Sequence, residues 1–466
     1  MTPTDLCYLS ASNALKAFKS RTLSPVDLMQ ALIARAETVE PRINAFTFKY
    51  FDEALEDAKR AEALFGKGAD HRPLEGLTMA IKDSGLIAGK PTSAGSLTTT
   101  EEPAKTTSVV NARILDAGGI CHARTATPEF SCAAVTHSLR WGITRNPWNT
   151  DYTPGGSSGG AGAALAAGTS TLASGSDIGG SIRIPAGCSG VIGYKPPHGI
   201  NPVDPPFNLD TYCHTGPMAR SMDDIVLFQS VLSGNMARYR ALSTTGSLKG
   251  MRIAYSQNLG FFEVDQDVEA ATLNAVRMLR EAGAIVEEID LQWNEVSLEA
   301  AQDHLTTIFA ASIRDAIETS NAEVTPYTRA FVDRLKTLDP DAFYRSLLIK
   351  AQMIETFEDA MEDFDIMVAP TNARAAVPAA FEPARDSLEI NGVKVDSALG
   401  WVMTYPFNIL SDCPVLSVPS GFAHTGVPAG MQIIGKRGDE ESVLRTGIAY
   451  EVEYGGFFGE GRRPPL

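Results

Sequence analysis

Apolar positions recur at helical spacing near the start of the chain and give way to short apolar runs further on. The stretch "SPVDLMQALIARAETVEP" opens with Ser24 and Pro25, and Asp27 follows at the third position after the serine. That is a capping-box-like start, and the spacing behind it predicts a helix over 25–39. A second, charged and alanine-rich helix is expected through "YFDEALEDAKRAEALFG", stopped by Gly66. From "LTMAIKD" onward, short runs such as "GGICHAR", "STLASG" and "VIGYKP" alternate with helical segments such as "TTSVVNARILDAGG". "MRIAYS", "AIVEEIDL", "FDIMVAP", "PVLSVPSG" and "GMQIIGK" read as further strands, and "DQDVEAATLNAVRMLREAG" and "EESVLRTGIAYEVEY" as helices. The alternation predicts an α/β core with a mostly parallel or mixed sheet.

Two segments break the pattern. "KPPHGINPVDPPFNLDTYCHTGP" is too rich in proline for regular structure, so 196–217 is expected to be a loop. The second, 371–399, is also long, although "EINGVKV" can close a small hairpin over Asn391-Gly392. Loops of this length in a compact enzyme are often rims or lids. No internal repeat or low-complexity linker divides the chain. It reads as one domain, 1–466, with a helical N-terminal segment (1–70), a core (71–235) and a C-terminal α/β part (236–466).

Composition narrows the partners. The chain has 466 residues, 44% hydrophobic and 21% charged, with a net charge of −16. Such a surface repels phosphate backbones and anionic lipid heads, so neither nucleic acid nor a membrane is expected as partner. No stretch approaches the roughly 18 to 20 apolar residues of a membrane span, and "MTPTDLCYLSAS" lacks the character of a signal peptide. A cytoplasmic location is expected. The six cysteines are scattered without a CxxC pair and the seven histidines without HExxH, so they suggest free thiols, no metal and no cofactor.

The chemistry concentrates in two glycine-serine clusters. In "TPGGSSGGAG", Gly156-Ser157-Ser158-Gly159-Gly160 satisfies G-x-S-x-G, which leaves open an esterase of the α/β-hydrolase type using Ser158. That reading needs a strand before the motif, whereas "WGITRNPWNTDYTP" is polar and broken by Pro147 and Pro154. The second cluster, "GSDIGGSIRIPAGCSGVIGYKP", places Gly179 and Gly180 before Ser181, and successive unhindered N–H groups can converge on an oxyanion. Ahead of both, Lys82 ends the apolar run of "MAIKD". Desolvation at the inner end of a strand would favour its neutral amine.

Lys82 in "IKD", the serines of "GGSSGG" and the run "DIGGSIRIPAGCSGVIGYKP" resemble the amidase signature family. Ser157 and Ser181 are 24 positions apart, as the family's linked serines are. "GKPTSAGS", "TPEF", "WGITRNPWN", "GPMARS", "FDIMVAPT", "PFNILSDCPVLSVPSG" and "GMQIIGKRGDEESVLR" extend the likeness over about residues 10–455. The resemblance implies a large mixed twisted sheet with helices on both faces. It also implies a Ser-cisSer-Lys amidohydrolase in which Ser181 is the nucleophile, Ser157 the bridging serine after a cis peptide, and Lys82 the base. Backbone N–H groups of Ile178, Gly179, Gly180 and Ser181 would hold the oxyanion.

Ser131 and Cys132 would line the acyl site, with Gly155 and Gly156 also at the substrate. Ser158 and the pair Asp177 and Arg183 would give structural support. The substrate implied is a small amide, with an ester or carbamate open to the same chemistry. The family also contains the glutaminase-type subunits of amidotransferase complexes, which keeps that alternative open. A homodimer is compatible with it. Arg124, Ala126, Ala161 and Pro197 depart from the usual family residues. The segment after "TPEF" borders the pocket in relatives, and these departures leave the substrate class open.

Overall fold

The computed structural model describes residues 2–67, 70–240, 242, 247–459 and 461–466. One eleven-stranded sheet runs through it. In chain order its strands are β1 (Phe46–Lys49), β2 (Thr78–Lys82), β3 (Ile120–Thr125), β4 (Leu172–Asp177), β5 (Ile192–Lys195), β6 (His214–Ala219), β7 (Arg252–Tyr255), β8 (Ile285–Glu288), β9 (Ile366–Pro370), β10 (Val415–Phe422) and β11 (Pro428–Gly435). Across the sheet the order is β1-β3-β2-β4-β6-β5-β10-β11-β9-β7-β8. β2 runs parallel to β3 and β4, and β7 parallel to β8 and β9. The other neighbours are antiparallel, so the sheet is mixed.

Both faces of the sheet are covered, and alternation along single strands shows how. In β9, Ile366 and Val368 join one apolar core while Met367 and Ala369 join a second on the opposite face. β11 divides in the same way, Met431 and Ile433 against Ile434. A strand apolar at every position must be covered twice, because successive side chains leave opposite faces. Helices Met222–Ser233 and Glu440–Tyr454 cover the first core, and Arg183–Ser189 and Ala342–Ala360 contribute to the second.

The expected helices are present at Pro25–Ile43 and Phe51–Gly66, the first running four residues beyond 39. The hairpin over Asn391-Gly392 pairs Leu388–Ile390 with Val393–Val395, both turn residues having positive φ. Three expectations need correction. The segment 1–70 also supplies a strand, β1. The proline-rich segment 196–217 is not all loop, because β6 begins at His214 and carries Pro217 within it. Residues 296–360 contain helices that the pattern did not announce, with a π-turn at Thr306–Ala310 inside a longer helical run. No helix among the described residues is long and apolar enough to cross a membrane.

Candidate active site

The parallel neighbours β2 and β4 end side by side, and the site begins at those ends. All five residues of β2 are buried, Lys82 last among them at 4% exposure. Its Nζ is hydrogen-bonded to Ser157 Oγ at 2.7 Å and to Ser176 Oγ at 2.9 Å. No carboxylate among the described residues pairs with it directly. Burial therefore pushes the amine down to about 7, opposed in part by the field of Asp177. Arg124, fully buried behind the strand, donates to the carbonyls of Ile81 and Lys82 at 3.3 and 3.0 Å. That departure from the family thus lies behind the lysine and not on the pocket wall.

The first serine cluster reaches Lys82 through close backbone packing. The Gly156-Ser157 peptide bond is cis, as the resemblance implied. A Cβ on Gly156 would stand 2.6 Å from the Val135 carbonyl oxygen and 2.8 Å from that of Ala133, so only glycine fits. Gly156 thus packs against the Ala133–Val135 backbone and Gly155 against Ile184, Pro185 and Cys188, and neither is among the residues that line the cavity, where the sequence placed them at the substrate. Ser158 is fully buried; its Oγ points to the Ser176 carbonyl at 3.5 Å, and its N–H donates to the Ser181 carbonyl at 3.2 Å. No strand leads into the motif from 144–156. Without exposure or a preceding strand, Ser158 does not form the nucleophile elbow of an α/β-hydrolase, and that alternative is withdrawn.

Asp177, the last residue of β4, organises the turn that carries Ser181. Its Oδ1 accepts the Gly180 N–H at 2.9 Å and its Oδ2 the Ile182 N–H at 3.3 Å. Arg183 grips both oxygens, with Nε at 3.0 Å and Nη2 at 2.9 Å, and Asn408 Nδ2 adds a donor at 2.8 Å. These partners hold the carboxyl well below the usual carboxylate range despite its burial. Arg183 is itself completed by the Thr404 carbonyl, Gln432 Oε1 and Asn408 Oδ1.

Thr404 Oγ1 donates to the Gly179 carbonyl at 2.7 Å and so fixes that peptide. Gly180 has φ +123°, and a Cβ there would meet Thr404 Oγ1 at 1.8 Å. The N–H groups of Ile178, Gly179 and Ser181 have no acceptor among the described residues. The Gly180 N–H, expected to be a fourth oxyanion donor, is instead committed to Asp177.

Ser181, 8% exposed, opens with Ile178 and Gly179 into a cavity of about 210 Å³. Ser131, Cys132 and Ala133 line one part, Leu305, Phe309 and Phe331 another, and the loop 371–399 contributes Pro383 and Leu399. Ser131 has φ +61° and shares a hydrogen bond with Thr127. Burial pushes the Cys132 thiol well up, which suits a wall residue and not a thiolate nucleophile. The charged residue of the lining, Arg334, is paired with Asp303 at 2.8 Å.

Ser176, Thr404, Asn408 and Gln432 were not legible as site residues. The available signal was a lone polar side chain within otherwise apolar runs, as Gln432 in "GMQIIGK".

The family model for amidases matches residues 27–444. The chain is 33% identical to an acylamidase of Rhodococcus erythropolis, over 97% of each chain. It is 32% identical to one of the subunits of the glutamyl-tRNA(Gln) amidotransferase of Chloroflexus aggregans, over 96% of this chain and 97% of that one. Its fold matches the crystal structure of a bacterial aryl acylamidase of the amidase signature family with a TM-score of 0.86 and 28% identity, covering 96% of both chains. With the family model over nearly the whole length and relatives above 30% identity, this protein belongs to the amidase signature family and is an amide hydrolase by kind.

Proposed function

We propose that the chain hydrolyses a carboxylic amide through an acyl-enzyme on Ser181, with Ser157 and Lys82 as proton relay. Neutral Lys82 takes a proton from Ser157, Ser157 takes one from Ser181, and the Ser181 oxygen attacks the carbonyl carbon. The N–H groups of Ile178, Gly179 and Ser181 stabilise the negative oxygen of the tetrahedral intermediate. Their turn is already held by Asp177, Arg183 and Thr404, so little reorganisation accompanies the charge. The protonated lysine returns its proton through Ser157 to the leaving nitrogen, the C–N bond breaks, and water releases the acid by the same relay. An ester or carbamate carbonyl fits the same steps. The observation that carries the reading is the buried amine of Lys82, 2.7 Å from Ser157 Oγ and without a carboxylate partner among the described residues.

The similarity to the tRNA amidotransferase component favours a second reading, glutaminase chemistry. Glutamine carries an α-ammonium and an α-carboxylate, and buried charges need partners. The cavity offers no carboxylate among its lining residues, and its arginine is already paired. A neutral acyl amide therefore fits better. A cytoplasmic location belongs to the same proposal, supported by six unpaired cysteines.

A fluorophosphonate probe with peptide mapping tests the assignment. Label on Ser181, abolished in Ser181→Ala along with a loss of amidase activity of about 10³-fold or more, is the expected result. Label on Ser158, or full activity in folded Ser181→Ala, would remove the proposal.

A further inference from the structure

A second chamber, of about 670 Å³, lies on the other side of the same serines. Lys82, Ser157 and Ser176 open into it, whereas Ser181 and Gly179 open into the smaller cavity. The two share only Ser131, Ile178 and Phe309, so these three residues form the partition. Phe309 sits on the π-turn Thr306–Ala310 and packs edge-on against Phe207, with ring centroids 5.8 Å apart, and tilted against Phe331 at 6.0 Å. π-Turns inside helices often mark functional positions, because the extra residue re-aims a side chain.

Resting on the acyl-enzyme reading above, we infer that the partition divides the substrate at its scissile bond: a compact apolar acyl group occupies the 210 Å³ cavity, and a bulky aromatic amine leaves through the 670 Å³ chamber. The carbonyl carbon must meet Ser181 and the oxyanion N–H groups, which face the small cavity. The nitrogen must meet the hydroxyl of Ser157, which faces the large one. When the C–N bond breaks, the nitrogen keeps the bonding pair and takes the Ser157 proton. Ser157 is reprotonated by Lys82, and the neutral amine departs on the side where that proton was supplied. Phe130, Phe207 and Phe309, with Pro205 and Pro206, give this chamber flat apolar walls suited to an aryl ring. The proline-rich loop thereby acquires a task, as the outer wall of the amine side.

Two exposed helix positions allow the halves to be blocked separately. Ser312 borders only the amine chamber and Ala330 only the acyl cavity, and neither belongs to the relay. Steady-state kinetics would compare acetyl p-nitroanilide, acetamide and hexanoyl p-nitroanilide. In Ser312→Trp, kcat/KM for acetyl p-nitroanilide should fall at least about tenfold, while that for acetamide, which releases only ammonia, stays within about twofold. In Ala330→Trp the hexanoyl anilide should suffer at least about tenfold more than the acetyl anilide. Equal losses on all substrates in Ser312→Trp, or an effect on acyl length in place of amine size, would overturn the division. Wild type inactive on every amide would instead sink the parent reading.

Discussion

In the proposed relay, Lys82 is the base because its charge is expensive where it sits. Its ordinary value is 10.5, and burial brings the amine to about 7, so the neutral, proton-accepting form prevails above neutrality. kcat/KM should accordingly rise with pH through about 7 and level off above it. A profile flat from pH 6 to 9 would show that another group is the base. The same burial has a sign in stability. Between pH 7 and 10.5 the unfolded lysine binds a proton that the folded one does not, so stability rises with pH in that window. Measured against Lys82→Met, which keeps the bulk and removes the titration, the wild type should gain up to about 1.4 kcal/mol per pH unit between about pH 7.5 and 9.5. A constant difference in chemical-denaturation stability across that range would mean the lysine stays charged in the fold.

At the scale of an element, the turn from β4 into helix Arg183–Ser189 is where packing and catalysis are least separable. Gly180→Ala meets two obstacles, a φ of +123° open in practice to glycine alone and a Cβ driven into Thr404 Oγ1. The threonine would have to release the Gly179 carbonyl, and the N–H groups facing the cavity would lose their aim. A fall in kcat of about 10²-fold, with a lowered Tm, is the expected outcome. Thr404→Ala combined with Gly180→Ala should recover part of the stability, because the closest contact, to Oγ1, is removed while the Thr404 Cβ at 2.5 Å and the φ strain stay. No recovery would place the cost in the backbone and that remaining Cβ contact.

How much of such an element the sequence announces depends on locality. Lys82, Ser157 and Ser181 sit in distinctive local strings, and the strand that ends in Lys82 is a short, mostly apolar run. Thr404, Asn408 and Gln432 reach the turn from more than 200 positions away, as single polar residues with no local pattern. β6 was obscured by Gly216 and Pro217, which pair with Gly175 and Ser174 of β4; a Cβ on Gly216 would meet the Tyr194 carbonyl oxygen at 2.1 Å, so the glycine answers to packing and not to strand propensity. The helical run through 296–318 was hidden differently, since the π-turn at Thr306–Ala310 breaks the 3.6-residue period on which helix recognition depends.

For the molecule as a whole, the question is whether this chain suffices for catalysis. Segments 383–399 and 202–207 of the chain line the proposed acyl and amine sides. The turn that carries Ser181 is held by residues from β4, β11 and the segment 404–408, which tie the two halves of the sheet across the site. An ammonia-supplying enzyme would need a partner to consume its product, and a surface with a net charge of −16 gives tRNA no purchase. The purified chain alone should therefore hydrolyse an acyl anilide with a kcat in the usual range of about 1–10³ s⁻¹. Its kcat/KM for glutamine should be lower by at least about 100-fold, because binding glutamine would bury an unpaired ammonium and carboxylate in an apolar cavity. Glutamine hydrolysed as well as the anilide would make the cavity's apolar lining irrelevant to selection and return the chain to the amidotransferase reading.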